Sequence, residues 1–203
     1  MTQTTYPNGQ VLTSSALTIP QIQAIFQAVT CTMLGIDAST PQSNYGVRTA
    51  WQTQGAPAWT ITDDIVFIEC TEDDGEYNKI RDSLLTTNDN VSVTKNFEYT
   101  RIWRVMFVAR GPNSFDNVRL IKSSLLLDFI NDTLAASNLY LVTALGNGIR
   151  VPELVEGQWW ERVDLAIQFY EQVNESIVIP SVASVEISTS DKNGVQSDIV
   201  VTA

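Results

Sequence analysis

The chain has 203 residues, 44% of them hydrophobic and 17% charged, with a net charge of -11 and no histidine. That size and balance fit one sizeable globular domain, or a domain with an extension, and exclude a disordered chain, which would be poorer in aromatic and branched apolar residues. The missing histidine removes the commonest general base and metal ligand and the middle member of a Ser-His-Asp or Cys-His arrangement, so no enzyme is expected.

No apolar run approaches the roughly 20 residues of a membrane span. The start, Met1 to Tyr6, has neither the positive charge nor the apolar core of a secretory leader. Cys31 and Cys70 match no paired spacing and read as buried thiols in a reducing compartment. Charge is unevenly spread. Residues 1–47 carry only Asp37, and 63–76 hold seven acids with no base between them. Eight of the twelve Lys and Arg fall in 77–122, and from 123 onward eleven acids face three bases. This balance speaks against tight phosphate binding, which needs clustered cations. It fits a solvated acidic surface, or a wall that a polyanion passes without sticking.

Residues 1–17 are polar, contain the turn signal Pro7-Asn8-Gly9 and read as an extended arm, either disordered or ordered against a neighbouring subunit. A first helix starts at Thr18, with Pro20 in its first turn and Gln21 completing a capping box. Ile22, Ile25, Phe26, Val29 and Met33 form its apolar stripe, and Gly35 ends it. Residues 47–59 are irregular. A central strand covers 61–70, and the acidic 71–76 is a turn, with Asp74-Gly75 as a hairpin signal. Residues 77–96 predict weak strands and turns, with Asn88-Asp89-Asn90 as a loop.

The longest strand by pattern runs from Phe97 to Arg110 and stops at Gly111-Pro112. Asn113 or Ser114 then caps one second helix whose buried stripe is Val118, Ile121, Leu125, Phe129 and Leu134. Leu126, Leu127 and Ile130 widen that stripe, as in a helix laid across a sheet or shared with another subunit. Leu139 to Thr143 is a short strand and Gly146-Asn147-Gly148 a turn. Trp159 to Glu171 is the cleanest strand, with Val163, Leu165, Ile167 and Phe169 alternating with polar neighbours. Ile179-Pro180 bends the chain, Val182 to Ile187 is a last strand, and Asp191-Lys192-Asn193-Gly194 turns into an apolar tail. The fold class is α+β: a largely antiparallel sheet with two main helices on one face and a polar N-terminal arm. The expected division is an arm over 1–17, a single domain over 18–190 and a tail over 191–203.

No phosphate-binding, dinucleotide-binding or nucleophile-elbow motif occurs, and the acids at 63–76 lack the order of a calcium loop, so no catalytic residue, cofactor or metal is assigned. The candidate residues are those of an interface: Arg101, Arg104 and Arg110 on the long strand, Asp73 and Glu76 in the acidic segment, and Trp159, Trp160 and Arg162 opening the late strand. Of the two tryptophans, one ring is expected in the core and one nearer the surface. The arginines pair with the acidic segment either between subunits or between adjacent strands of one sheet.

Taken together, Gly111-Pro112-Asn113-Ser114-Phe115-Asp116 opening a helix after a long strand, Glu161-Arg162-Val163-Asp164-Leu165 in a late strand, Gln54-Gly55-Ala56-Pro57 before the first core strand, and Ile177-Val178-Ile179 with Val185-Glu186-Ile187 near the end resemble the phage neck or tail-terminator family. The resemblance spans roughly 18–190; the polar arm, the tail after Ser188 and the long acidic hairpin depart from the family pattern. It implies a structural virion protein, not an enzyme. The implied assembly is a ring, usually a hexamer, made in the host cytoplasm, that caps the tail tube, stops its polymerisation and joins the head connector. Its implied partners are its own copies, the tail tube protein, a head–tail connector or neck protein, and DNA in transit without specific binding; no membrane is involved. Asp63, Asp64, Glu72, Asp73 and Asp74 are then candidate lumen carboxylates. The alternatives are another ring component of the tail or head–tail joint, a tube or connector subunit, and a non-enzymatic ligand-binding accessory domain.

Overall fold

A computed structural model describes residues 1–37, 46–50, 59–74, 80–87, 92–180, 184–190 and 196–202. In chain order the elements are β1 (Thr2–Thr5), β2 (Val11–Ser14), α1 (Ile19–Leu34), β3 (Val47–Thr49), β4 (Ile65–Asp73), β5 (Arg81–Thr87) and β6 (Ser92–Arg110). They continue with α2 (Ser114–Ser124), α3 (Asp128–Ala135), β7 (Leu139–Leu141), β8 (Ile149–Arg150), β9 (Glu153–Val155), β10 (Gln158–Trp160), β11 (Arg162–Pro180), β12 (Ser184–Ser190) and β13 (Gln196–Thr202). The fold is α+β with a mostly antiparallel sheet, as the sequence predicts. The chain divides into two compact units, one of 1–16, 81–99 and 173–203 and one of 17–80 and 100–172.

The second unit holds the core. Its sheet runs β11–β6–β4–β3, with β7 and β8 also paired to β11. β4 and β6 are antiparallel from Ile65 opposite Arg110 to Asp73 opposite Ile102, whereas β3 is parallel to β4. Alternation gives each strand two faces. On one, Val66, Ile68 and Cys70 of β4, Trp103, Val105 and Phe107 of β6, and Val163, Leu165, Ile167 and Phe169 of β11 are buried with residues of all three helices. α1 joins them as its stripe requires: Ile22, Phe26, Val29 and Met33 are buried, and the Phe26 ring lies 4.6 Å from that of Phe169. Its start is fixed by Thr18, whose backbone N–H and hydroxyl both donate to Gln21 Oε1, and its end by Gly35 in the left-handed conformation.

Several expectations for this unit are corrected. The acidic segment is strand as far as Asp73 rather than a turn, because its carboxylates find partners on β6. Residues 47–59 are not wholly irregular, since 47–49 form β3; the Trp51 to Ala58 stretch, with Gln54-Gly55-Ala56-Pro57, lies outside the described residues, as do Gly75, Glu76 and the Asn88-Asp89-Asn90 loop. The single helix expected after Asn113 is two helices, α2 and α3, with Leu127 extended between them. One residue is about 100° of helical rotation, so the break re-phases the stripe. Leu125, Ile130 and Leu134 go in, while Phe129 stays 55% exposed. The cleanest strand is likewise divided into β10 and a β11 that runs on to Pro180.

Among the residues of the first unit whose burial is described, strand ladders dominate and only Ser14 and Val173 are buried. β1 and β2 form a hairpin around Gly9, whose N–H donates to the Tyr6 carbonyl, and β2 pairs with the last part of β11, Ser14 opposite Glu175. The polar arm is therefore a hairpin whose ladder partner is its own chain. β5 pairs with the first part of β6, Arg81 opposite Tyr99. Glu175 accepts from Ser14 Oγ at 3.1 Å and Tyr99 Oη at 3.0 Å. β12 and β13 form a separate antiparallel pair; the Asp191 to Gly194 turn between them lies outside the described residues.

Candidate functional site

On the second face of the core unit's sheet, two of the sequence-predicted residues, Arg110 and Arg162, meet around one carboxylate. Glu153 of β9 pairs with Arg110 of β6 at 2.7 Å and with Arg162 of β11. Arg162 in turn holds Asp164 through two 2.7 Å bonds, from Nε and Nη2. Burial pulls Glu153 up, but the hydrogen bonds from Arg162 and Arg110 and their charges outweigh it and leave the carboxyl below its ordinary range. The Arg162 guanidinium is held above its ordinary value, chiefly by the Asp164 bond. Beside this cluster Trp59 stands edge-on to Phe67 at 5.3 Å and to Trp160 at 6.5 Å. A cleft of about 230 Å³ opens between them, lined by Ala50, Trp59, Phe67, Val108, Arg110 and Arg162.

Glu153 and Trp160 are placed by the β9–β10 hairpin, where they lie directly opposite each other. Its two-residue turn is Glu156-Gly157, both at positive φ, 49° and 78°. Strand alternation then sends the next pair, Leu154 and Trp159, to the other side of the hairpin, 59% and 67% exposed. Trp160 is half-buried and Trp159 exposed, so neither ring lies in the core where one was expected.

Asp73 accepts from Arg104 Nη2 at 3.0 Å and Gln168 Nε2 at 2.7 Å. Arg101 reaches Glu72 at 3.1 Å, Glu171 at 3.4 Å and the Leu17 carbonyl at 3.1 Å, and lies over the Trp103 ring. β4 and β6 set Glu72 and Asp73 diagonally across from Arg101 and Arg104, so these two pairs lie within the chain, whereas Arg110 pairs with Glu153 and not with the acidic segment. Glu171 is fully buried and accepts from Trp103 Nε1 at 2.6 Å and the Leu17 backbone N–H at 2.7 Å. Its position is two residues past Phe169, on the core parity of β11, and a carboxylate at such a position requires partners.

Asp63 and Asp64 build a corner. Asp63 Oδ2 accepts from the Thr60 N–H, and Asp64 accepts from the Asn113 N–H at 2.8 Å and its Nδ2 at 2.7 Å. Gly111 lies at φ 104°, where a Cβ would overlap the Asp63 carbonyl. The Gly-Pro-Asn motif thus serves a close approach between the start of β4 and the start of α2. Asp74 is exposed at the end of β4. Cys31 and Cys70 are buried thiols, and burial with the nearby Glu69 charge pushes Cys70 up to about 12. Among the described residues no cluster of three metal-ligand side chains occurs. Sequence reasoning missed Glu153, Glu171 and Trp59.

Phe115, Leu126, Leu127 and Phe129 at the helices and Leu154 and Trp159 on the hairpin are exposed. The family model for the phage neck terminator protein matches residues 21–194, and the chain belongs to that family. It is a structural protein of the phage neck, with a role in tail completion and head–tail joining. No curated protein matches the chain. Among the described residues no helix is long and apolar enough to cross a membrane.

Proposed function

We propose that the protein forms a hexameric ring that caps the completed tail tube, stops its polymerisation and presents a surface to the head connector, with DNA passing through the lumen. The observation that carries this reading is the family match over 21–194. A growing tube ends in unpaired surface, and a cap must cover that surface without offering a fresh copy of it. The exposed apolar side chains at the helices and on the β9–β10 hairpin are available for contact with neighbouring subunits. The net charge of -11 fits a lumen wall, from the acids of 63–76 or of the last third, that repels the DNA backbone.

Mass photometry of the purified protein, followed by electron microscopy of its mixture with tail tubes, tests this. The reading expects a ring that binds one tube end and blocks further addition of tube protein, with negligible duplex DNA affinity at moderate salt. A protein that stays monomeric and leaves tubes bare, or one that binds duplex DNA tightly and salt-sensitively, contradicts it.

A further inference from the structure

The first unit has a property the core unit lacks. Its described strands are well paired, yet among residues whose burial is described only Val173 and Ser14 are buried. Three or more strands normally need a hydrophobic face to be stable, and this sheet buries almost none of its own. Its strands follow the order β1–β2–β11–β6–β5, so among the described residues β1 and β5 each have a free outer edge. Monomeric proteins guard such edges with charge, proline or bulges. β1, Thr-Gln-Thr-Thr, has none of these. β5 carries charge only at Arg81 and Asp82, and its next residues include Leu84 and Leu85, 67% and 61% exposed.

We propose that the β1 edge of one copy of this chain pairs with the β5 edge of the next, joining the first units into a continuous intersubunit sheet. The occupant is a second copy because the chain carries two unlike open edges, one at each end of a single strip. Joining unlike edges is a heterologous contact, which closes into a ring when the rotation permits, whereas joining like edges stops at a dimer. The uncharged β1 brings no repulsion to the contact. The inference rests on the ring reading and names its joint.

The hairpin geometry supplies a selective test. Tyr6 N–H donates to the Gln10 carbonyl, so the inward-bonding amides of β1 are those of Thr4 and Thr2, and the amides of Gln3 and Thr5 point to the free edge. Proline at Gln3 and Thr5 removes only outward donors. The full chain carrying Gln3→Pro and Thr5→Pro should keep the wild-type circular dichroism and raise the dissociation constant for self-assembly about tenfold or more. As a second measurement, chains with Thr5→Cys are mixed with chains carrying Ser83→Cys, Leu84→Cys or Leu85→Cys under mild oxidation. At least one mixture should give a disulfide-linked heterodimer. Normal assembly of the proline variant with no heterodimer overturns the joint while leaving the ring reading intact. Thr5→Cys linking only to itself overturns it in favour of a two-fold contact, and loss of tube binding with unchanged self-assembly overturns it in favour of the tube as occupant. A wild-type chain that is monomeric at all concentrations, alone and with tubes, overturns both the joint and the ring reading.

Discussion

Replacing Glu171 with alanine tests whether the core unit is held by its buried carboxylate. The side chain is 1% exposed and accepts from Trp103 Nε1, itself on a ring 1% exposed, from the Leu17 N–H and from Arg101. Removing it leaves the indole N–H without an acceptor in the core and frees the Leu17 amide ahead of α1. A buried donor left unsatisfied costs about 1–3 kcal/mol. Arg101 keeps Glu72 and part of its exposure, so the full penalty of about 3–5 kcal/mol for breaking a buried pair is an upper bound. The expected loss is about 3 kcal/mol, a large share of the roughly 5–15 kcal/mol that holds a domain together. Glu171→Gln keeps one acceptor and should lose about half as much. Urea unfolding followed by circular dichroism reads both as shifts of midpoint at constant slope. A double-mutant cycle with Trp103→Phe should show coupling above about 1 kcal/mol, because the second change removes the orphaned donor. If Glu171→Ala lies within about 0.5 kcal/mol of the wild type, the network is ornamental and the reasoning fails.

Gly111→Ala should cost more than about 2 kcal/mol in the same assay, since its φ and the Asp63 carbonyl both oppose a Cβ; a neutral result would mean the corner relaxes freely. Arg104→Glu should lower stability by no more than about 1 kcal/mol, the Arg104 side chain being half exposed, and Asp73→Lys should restore part of it within the same subunit. A rescue seen only in mixed assemblies would place the pair between subunits. The depressed Glu153 carboxyl contributes stability that is present above its ordinary value of 4.5 and is lost as pH falls through the lower folded value. Melting temperature should therefore fall less steeply below pH 4.5 in Glu153→Gln than in the wild type, and parallel curves would deny the carboxylate this role. Cys70, pushed up to about 12 and buried, should react with a thiol reagent at pH 8 only in denaturant; rapid labelling of the native protein would show that β4 opens.

The parts of the fold legible in the sequence are those whose information is local. α1 carries its cap, its stripe and its terminating glycine within eighteen residues, and the alternation of Val163 to Phe169 names the buried face of β11. The parts that were not legible depend on distant partners. Three residues of β3 carry no pattern of their own and are strand because β4 offers them a parallel edge. The run Leu125-Leu126-Leu127 is apolar all round, so nothing in it marks which leucine faces the core; the break before α3 decides. The site was half legible. Residue type singled out Arg110, Trp160 and Arg162, yet Glu153, the carboxylate between the two arginines, lies in a hairpin whose Glu156-Gly157 turn lacks the usual Asn or Asp. Glu171 had a readable signal, a charge on the core parity of a strand. Arg104 and the acidic segment were legible as opposite charges, and the strand register is what sets Arg104 beside Asp73.

The central claim is that this protein ends tail growth and permits head joining, and the most direct measurement is the length distribution of tails made without it. Electron microscopy of lysates from phage in which this coding sequence is deleted should show tails of uncontrolled length and unattached, DNA-filled heads. Expression of the intact chain in trans should restore uniform, joined particles. Tails of normal length joined to heads in its absence would contradict the account.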